Sequence, residues 1–292
     1  MLAVRARQAI SSGECSLSRV FEVILLTSAS VKHGTALGTV AGTQAIDRTL
    51  AVLGLFRELR HDLGISEISE ELKLSASTVH RIARALVERG YLAQDAASER
   101  YYLGRSAVLL GQAANQGLGL HLVQPILDRV GEQTGESVNL GARDGGEMVV
   151  VIRAESKQPL RFSQEPGSRL PVYATAMGKA TLSQALSIEE EVSALETPLR
   201  ALTNKTITST SELRKELETI RRRGYSIDDE EALPGVRCVA APILSPSGRP
   251  IAAVAIQGPA VRMTRTRIKG LASVIRSAAD EIAPLIPTTH QL

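Results

Sequence analysis

Apolar residues recur every three to four positions from Gln44 onward, which is the spacing of one face of an α-helix. The pattern stops before Gly64, and glycine favours the end of a helix. A first amphipathic helix is therefore predicted, and its inward positions are Ile46, Leu50, Leu53, Phe56 and Leu59.

Two further helices are predicted before Gly90. Ser66 can cap a short second helix, since its side-chain oxygen can accept a hydrogen bond from the first turn, and Ile68 and Leu72 then face inward. The third helix follows a turn at Leu74–Ser75 and ends at Gly90. Its apolar positions are Val79, Ile82, Leu86 and Val87.

Two short runs typical of strands, residues 91–94 and 100–103, follow the third helix around a polar turn at residues 95–99. A strand pair directly after a third helix is a β-wing. Residues 43–104 therefore predict a winged helix-turn-helix domain, and residues 105–118 predict a helix that links it to the rest of the chain.

Helical and strand periods then alternate from residue 119 to residue 292, which predicts a second domain of the α+β class. A hairpin is expected at Asp144-Gly145-Gly146, and Ser211 and Thr264 are expected to cap two helices. The predicted helices cover residues 122–134, 176–186, 188–195, 212–223 and 265–282. The predicted strands and extended segments cover residues 137–143, 147–154, 160–164, 170–173, 225–228, 236–244 and 250–257.

Composition narrows the classes of protein that this pattern allows. A chain of 292 residues exceeds what one core usually fills, so two domains are expected. With no Trp, 3 Phe and 5 Tyr, it lacks the aromatic rings of a single-strand nucleic-acid platform. The two cysteines, Cys15 and Cys238, predict no disulfide framework and fit a cytoplasmic location. No apolar run reaches the roughly 20 residues of a membrane span, and residues 1–42 predict a disordered extension.

The polar face of the third predicted helix carries residue types that read double-stranded DNA. Arginine can bond guanine through two hydrogen bonds, while hydroxyl groups and helix N-terminal amides suit phosphate. Because this face lies between a turn and a wing, we interpret it as a recognition helix rather than an ordinary solvated face. The candidates are Ser75, Ser77, Thr78, His80, Arg81 and Arg84, with Arg100 on the wing expected at a phosphate or in the minor groove.

One polar cluster stands out in the second predicted domain. Asp228 and Cys238 lie on two predicted strands that are close in sequence. If the strands are neighbours, these side chains form the polar end of a small-molecule pocket. The apolar walls expected beside them are Met177, Val254 and Ile256.

Catalysis is the alternative interpretation of this cluster. Cys238 could serve as the nucleophile of an enzyme, with His121 as its partner in space. Paired-carboxylate chemistry is not expected, because adjacent Asp228 and Asp229 would point to opposite sides of a strand. Neither is a metal site, since the domain offers Cys238, His121 and His290 as its Cys and His ligands.

Several blocks of the sequence, in order, resemble the isocitrate lyase regulator (IclR) family of bacterial transcription regulators. They are IDRTL (46–50), SASTVHR (75–81), ERGYL (88–92), YYLG (101–104), LPVYATAMGKA (170–180), TIT (206–208) and, most closely, GYSIDDEEALPGVRCVAAP (224–242). The resemblance covers residues 43–285. It implies a GAF-like effector domain, no enzymatic activity and no cofactor. It also implies a homodimer or homotetramer on a pseudo-palindromic operator, acting as a repressor of a metabolic or catabolic operon under the control of a small, often carboxylate-bearing metabolite.

Carried over by position, the resemblance implies an effector pocket formed by Ala176, Met177, Asp228, Cys238, Ala255 and Gln257. Two departures from the family pattern matter. Ala76 stands where the family often has Lys or Arg, so one phosphate contact is expected to be missing. Small hydroxyl residues are common at the places of Ala255 and Gln257, and their loss argues against a glyoxylate-like ligand.

Overall fold

The computed structural model describes residues 43–287 and divides the chain into two units, residues 1–50 and 51–292. In the first unit the described residues are 43–50, and residues 44–50 belong to helix α1 (Gln44–Leu59). The extension predicted for residues 1–42 lies outside the described residues, as does His290.

The predicted winged helix-turn-helix is confirmed. Helices α2 (Ile65–Leu72) and α3 (Ala76–Glu88) precede strand β1 (Leu92–Gln94), which pairs antiparallel with β2 (Tyr101–Leu103). A compact apolar core holds these elements together, and its buried residues are Val52, Leu55, Phe56, Leu63, Ile68, Val79, Ala83, Leu86, Leu92 and Tyr101.

The predicted apolar stripe of α1 was wrong at most of its positions. The buried residues of this helix are Val52, Leu55 and Phe56, whereas Ile46 and Leu50 are each 60% exposed. Apolar residues occupy two faces of α1, and both satisfy helical spacing. Periodicity alone does not tell which face the fold covers.

Two predicted helix caps were also wrong. Helix α2 begins after Gly64, whose N–H donates to the Glu67 carboxylate at 2.7 Å, so Ser66 lies inside the first turn. Ser209, rather than Ser211, accepts the hydrogen bond from the backbone N–H of Glu212. A polar residue caps a helix only where the backbone beside it is extended, and tertiary contacts decide that position.

The second domain is built on a six-stranded antiparallel sheet with strand order β5-β4-β3-β8-β7-β6. The predicted hairpin is confirmed, since Asp144 pairs with Glu147 across two glycines. The strands are β3 (Ser137–Asp144), β4 (Glu147–Ala154), β5 (Arg169–Pro171), β6 (Ser226–Asp229), β7 (Val236–Leu244) and β8 (Pro250–Pro259).

The predicted extended segment 160–164 does not join this sheet. Its backbone carbonyls accept hydrogen bonds from side chains instead: the Leu160 carbonyl from Arg262, the Phe162 carbonyl from Ser137, and the Gln164 carbonyl from Arg153. The segment therefore satisfies its polar groups without a strand ladder.

Helices cover both faces of the sheet. Helices α5 (Leu120–Thr134) and α9 (Arg265–Ile282, capped by Thr264 as predicted) share one apolar core with β3, β7 and β8. The opposite face packs against α6 (Ala176–Ser183), α7 (Ile188–Ser193) and α8 (Thr210–Arg223). Helix α4 (Arg105–Gly117) lies between β2 and α5 in the chain, and a 3-10 turn (Ala283–Leu285) follows α9.

The alternation of side chains along β8 corrects the predicted pocket walls. Val254 and Ile256 belong to the core under α5 and α9, while Ala253 and Ala255 belong to the core under α6 and α8. Because neighbouring residues of a strand point to opposite faces, Val254 and Ile256 cannot share a pocket with Ala255. Between residues 43 and 287, no helix combines the length and apolarity needed to cross a membrane.

Candidate functional site

The exposed face of α3 brings together the residues predicted to read DNA. Val79, Ala83 and Leu86 bury the opposite face. The outward positions are Ser77, His80, Arg81 and Arg84, all of which are exposed.

The N-terminus of α3 is ordered by hydroxyl groups. The Ser75 Oγ accepts a hydrogen bond from the Thr78 backbone N–H at 3.3 Å and lies 2.9 Å from the Thr78 hydroxyl. The Ser77 hydroxyl lies 3.1 Å from the same oxygen. These contacts place a cluster of hydroxyl groups at the positive end of the helix dipole, where a phosphate group binds favourably.

Arg100, predicted to contact a phosphate or the minor groove, forms hydrogen bonds within the winged domain, and its role at DNA stays a prediction. Its guanidinium donates to the Asp62 carbonyl and to the Glu67 carboxylate, each at 2.7 Å, and lies 2.8 Å from the Asp62 carboxylate. The pKa of Glu67 is lowered most by the hydrogen bond from the Gly64 backbone N–H, and next by the hydrogen bond from Arg100. Arg100 thus fastens the wing to α2.

A cavity lies on the α6 side of the sheet. The structure brings all six residues of the predicted pocket to its lining: Ala176, Met177, Asp228, Cys238, Ala255 and Gln257. The sheet register brings the three polar residues together, because Asp228 pairs with Cys238, and Cys238 pairs with Gln257. Three strands therefore place one polar residue each on a single row.

Sequence reasoning missed several further lining residues. Met148 and Val150 of β4 line the cavity, together with Phe162, Gln164 and Ser168 of the following loop. The alternation along β4 carried a signal for the first pair, since residues 148 and 150 share a face. No local pattern marks the loop residues, because they reach the cavity through tertiary contacts.

Asp228 is the buried carboxyl of this row, with 3% of its surface exposed. Its Oδ1 accepts hydrogen bonds from the backbone N–H groups of Glu231 at 2.6 Å and Ala232 at 3.3 Å. Burial raises the pKa of Asp228 to about 7; Lys179 opposes this shift and Glu231 adds to it. The carboxyl can therefore donate or accept a proton near neutral pH.

A buried ion pair lies behind Asp228, and sequence reasoning missed it because lysine on a helix is usually exposed. The Lys179 ammonium of α6 donates to the Glu231 carboxylate at 2.5 Å, and Lys179 has no exposed surface. Burial also raises the pKa of Glu231, against the attraction of Lys179. The pair anchors α6 to the loop after β6.

Cys238 is a half-buried thiol in the cavity wall. The pKa of Cys238 is raised well above its ordinary value. Burial is the larger cause, and the nearby Asp228 carboxyl is the second. The reactive thiolate is therefore disfavoured. His121, the partner considered for it, is exposed on α5, and that helix packs on the other face of the sheet.

The N-terminus of α6 forms another part of the cavity wall. The Thr175 hydroxyl caps the helix by accepting the Gly178 N–H at 3.0 Å. The first N–H groups of a helix have no acceptor within it, and Ala176 and Met177 occupy these positions at the cavity. The arrangement suits an anionic group of a ligand.

A winged helix-turn-helix and a domain enclosing a polar-ended cavity, on one chain, define a ligand-responsive DNA-binding regulator. The family model for the IclR helix-turn-helix domain matches residues 45–96, and the model for the C-terminal domain of bacterial IclR transcriptional regulators matches residues 116–284. The chain belongs to the IclR family of bacterial transcriptional regulators, as its resemblance implied.

Known relatives share both domains. The HTH-type transcriptional regulator BhcR of Paracoccus denitrificans is 34% identical over 243 residues, which cover 83% of this chain and 87% of that protein. The acetate operon repressor of Salmonella typhimurium is 34% identical over 82% of this chain and 88% of its own length. The structure of an IclR homologue from Microbacterium hydrocarbonoxydans, complexed with 4-hydroxybenzoate, superimposes with a TM-score of 0.72 at 26% identity, over 83% of this chain and 98% of that one.

Proposed function

We propose that this regulator represses a metabolic operon and that a small carboxylate-bearing effector, bound in the cavity, controls its affinity for DNA. The observation that carries the proposal is the cavity itself, which joins a helix N-terminus to a row of buried polar residues. A relative named as the acetate operon repressor supports the repressor role and the metabolic target.

The N-terminus of α6 is our candidate site for the effector carboxylate. Its N–H groups at Ala176 and Met177 supply donors at the positive end of the helix dipole. The related structure with 4-hydroxybenzoate, which is itself a carboxylate, supports this choice. Asp228 and Cys238 then face the far part of the ligand.

Helix α4 is our candidate for the element that transmits ligand binding. We propose a DNA-binding domain at residues 43–104, a linking helix at 105–118 and an effector domain at 119–292. No residue of helix α4 is buried, so the helix can shift without breaking the packing of an apolar core. In a homodimer or homotetramer, such a shift changes the spacing of the two recognition helices and hence their fit to the two half-sites of an operator.

We further propose that the chain has no catalytic activity. The raised pKa of Cys238 supports this proposal, because a nucleophilic cysteine needs an accessible thiolate. Cys238 contributes instead to the polar row of the cavity.

The recognition role of α3 is tested by Arg81→Ala and Arg84→Ala. Each variant should bind the DNA upstream of the regulator's own gene more weakly, by about 1–3 kcal/mol, since each removes a contact to a base edge. A gel shift at physiological salt measures the affinity.

Arg249→Ala is the matched control, because it removes an exposed arginine from the turn between β7 and β8. It should leave DNA affinity unchanged, and so should Cys238→Ser. Equal affinity of the Arg81 and Arg84 variants and the wild type would rule out α3 as the reading element.

A further inference from the structure

The side-chain amide of Gln257 is buried in the cavity without a hydrogen bond. Only 2% of the residue is exposed, and its Nε2 has no acceptor within the described part of the chain. Buried polar groups in proteins are nearly always paired. An unpaired amide at a cavity wall therefore indicates a group that pairs with something bound there.

The surroundings of Gln257 define what that partner meets. On the same row lie Cys238 and, one strand further, Asp228. On the other side Gln257 pairs with Ser137, whose hydroxyl already donates to the Phe162 carbonyl and accepts from the Ser156 N–H. Ser137 keeps one acceptor lone pair, but no hydrogen bond joins it to Gln257, so the amide Nε2 is left without a protein partner at the cavity wall.

The charge of the cavity argues against a second ionised acid at this row. No Lys, Arg or His side chain lines the cavity among residues 43–287. Lys179 lies behind the wall and is already paired with Glu231. A carboxylate at this row would be buried without a compensating cation, and it would meet a like charge whenever Asp228 is ionised.

A primary amide offers one donor and one acceptor side by side. Its best neutral complement is another planar amide, which returns an acceptor to the N–H and a donor to the carbonyl. This match holds for either orientation of the Gln257 amide. A ketone supplies only the acceptor, and a hydrocarbon supplies neither.

We propose that Gln257 is the specificity-determining residue of the cavity and that the effector carries an amide-type group, a carboxamide or lactam, which forms two hydrogen bonds with the Gln257 side chain. The proposal rests on the proposed function, since it assigns the effector carboxylate to the N-terminus of α6. It deepens that function by naming the second group of the ligand.

Binding of matched acids to the full-length protein tests the proposal. Two series each keep one carboxylate and change the other end: succinamate, levulinate and succinate; and 4-carbamoylbenzoate, 4-acetylbenzoate and terephthalate. In at least one series the carboxamide should bind about tenfold or more tightly than the ketone and the second acid, as measured by calorimetry. The Gln257→Met variant, which keeps the shape without the amide, should lose this advantage.

Ser168→Ala is the matched control, because it removes a different polar side chain from the cavity lining. It should keep the preference for the carboxamide. The ligand-free Gln257→Met variant, and Gln257→Ser as a second substitution, give an independent readout. An amide with no partner makes no bond to lose, so the thermal midpoint of Gln257→Met should equal or exceed that of the wild type.

The outcomes separate this proposal from the proposed function. If the ketone or the second acid binds as tightly as the carboxamide, or more tightly, in every series that binds, the amide assignment is overturned and the carboxylate effector stands. A carboxamide preference that survives in Gln257→Met, or a lowered thermal midpoint in that variant, also overturns it. If none of the six compounds binds the wild type, the amide assignment and the carboxylate effector both fail, while the DNA-binding experiment on Arg81 and Arg84 is unaffected.

Discussion

Asp228 lies in an environment that opposes its own charge. Its surface is almost fully buried. Lys179, the nearby cation, already forms an ion pair with a second carboxylate, Glu231. A well-packed apolar residue would be more stable at such a place. A buried carboxyl with a raised pKa beside a cavity is typical of functional sites.

Asp228→Asn should change how stability depends on pH. The pKa of Asp228 rises from 3.8 in the unfolded chain to about 7 in the folded protein, so the folded state binds the extra proton between these values. The stability of the wild type relative to the variant should therefore fall as pH rises from about 4 to about 7, by about 3 kcal/mol, and then level off. Urea unfolding across this pH range measures the difference.

Asp95 provides a control of opposite sign. Hydrogen bonds from the Ser98 backbone and hydroxyl lower the pKa of Asp95. The wild type should therefore gain stability relative to Asp95→Asn as pH rises through the acidic range. If the difference in stability between the wild type and Asp228→Asn does not change from pH 4 to 7, Asp228 is ionised like a surface acid.

At the scale of elements, the position of α6 depends on one glycine. A Cβ built on Gly178 would lie 2.1 Å from the Val172 carbonyl oxygen and 2.4 Å from the Val172 Cα, distances that no side chain can occupy. The helix therefore packs directly on the backbone before it. This close approach fixes the helix N-terminus against the cavity.

Gly178→Ala should push α6 away from Val172. We expect the free energy of unfolding to fall by about 1–3 kcal/mol, because overpacking forces the backbone to move. The affinity for whichever of the six acids the wild type binds should fall as well, since the N–H groups of α6 move with the helix. Chemical denaturation and calorimetry measure the two effects.

Gly270→Ala is the matched control within α9. A Cβ at Gly270 meets nothing within 4 Å, so alanine there should stabilise the protein by about 0.5–1 kcal/mol through its higher helix propensity. Unchanged stability and acid binding in Gly178→Ala would mean that α6 is not held by this contact.

Elements whose pattern is local were predicted well from the sequence. The wing, the Gly145-Gly146 hairpin and helix α9 with its Thr264 cap match the structure because turn residues and periodicity decide them within a few positions. The caps at Gly64 and Ser209 were not predicted, since two candidate residues stood close together and tertiary packing chose between them.

The candidate cavity was predictable only in part. The predicted strands placed Asp228 and Cys238 at the polar end of one pocket, and the resemblance to a family added Gln257. The strand register joins the three on one row. The contribution of Gln164 was not foreseen, because it depends on a loop that folds against the sheet. The burial of Lys179 was also missed, since its partner Glu231 lies 52 positions away in the sequence.

For the whole molecule, the most informative feature is the exposed apolar surface of α4. Val108, Leu109 and Leu110 are 57%, 61% and 60% exposed, and the helix buries no residue within the chain. Three adjacent exposed aliphatic residues on a helix are unusual for a protein that acts alone. They are the surface that our proposed homodimer would cover.

Leu109→Arg should weaken self-association. Burial of a leucine contributes about 1.5–3 kcal/mol, and a two-fold interface contains the residue twice. The dissociation constant of the dimer should therefore rise tenfold or more, and DNA binding should weaken with it because single recognition helices hold only half-sites. Sedimentation velocity over a range of concentrations measures the change.

Leu186→Arg is the comparison, because Leu186 is an aliphatic residue outside α4 that is 85% exposed. It should leave the association constant of the α4 dimer unchanged. Self-association that is identical in Leu109→Arg and the wild type would mean that α4 is not the dimer interface.

The depth of the polar row has a consequence for the speed of the response. Asp228 and Gln257 retain only 3% and 2% of their surface, and the loop carrying Phe162 and Gln164 forms part of the wall around them. We expect a ligand to reach these groups when this loop moves, and the opening of loops over binding sites takes microseconds to milliseconds. The rate of capture is then limited by opening rather than by diffusion, so it reaches a ceiling as metabolite concentration rises. Such a regulator would therefore not follow changes in metabolite concentration that are faster than the opening of the loop.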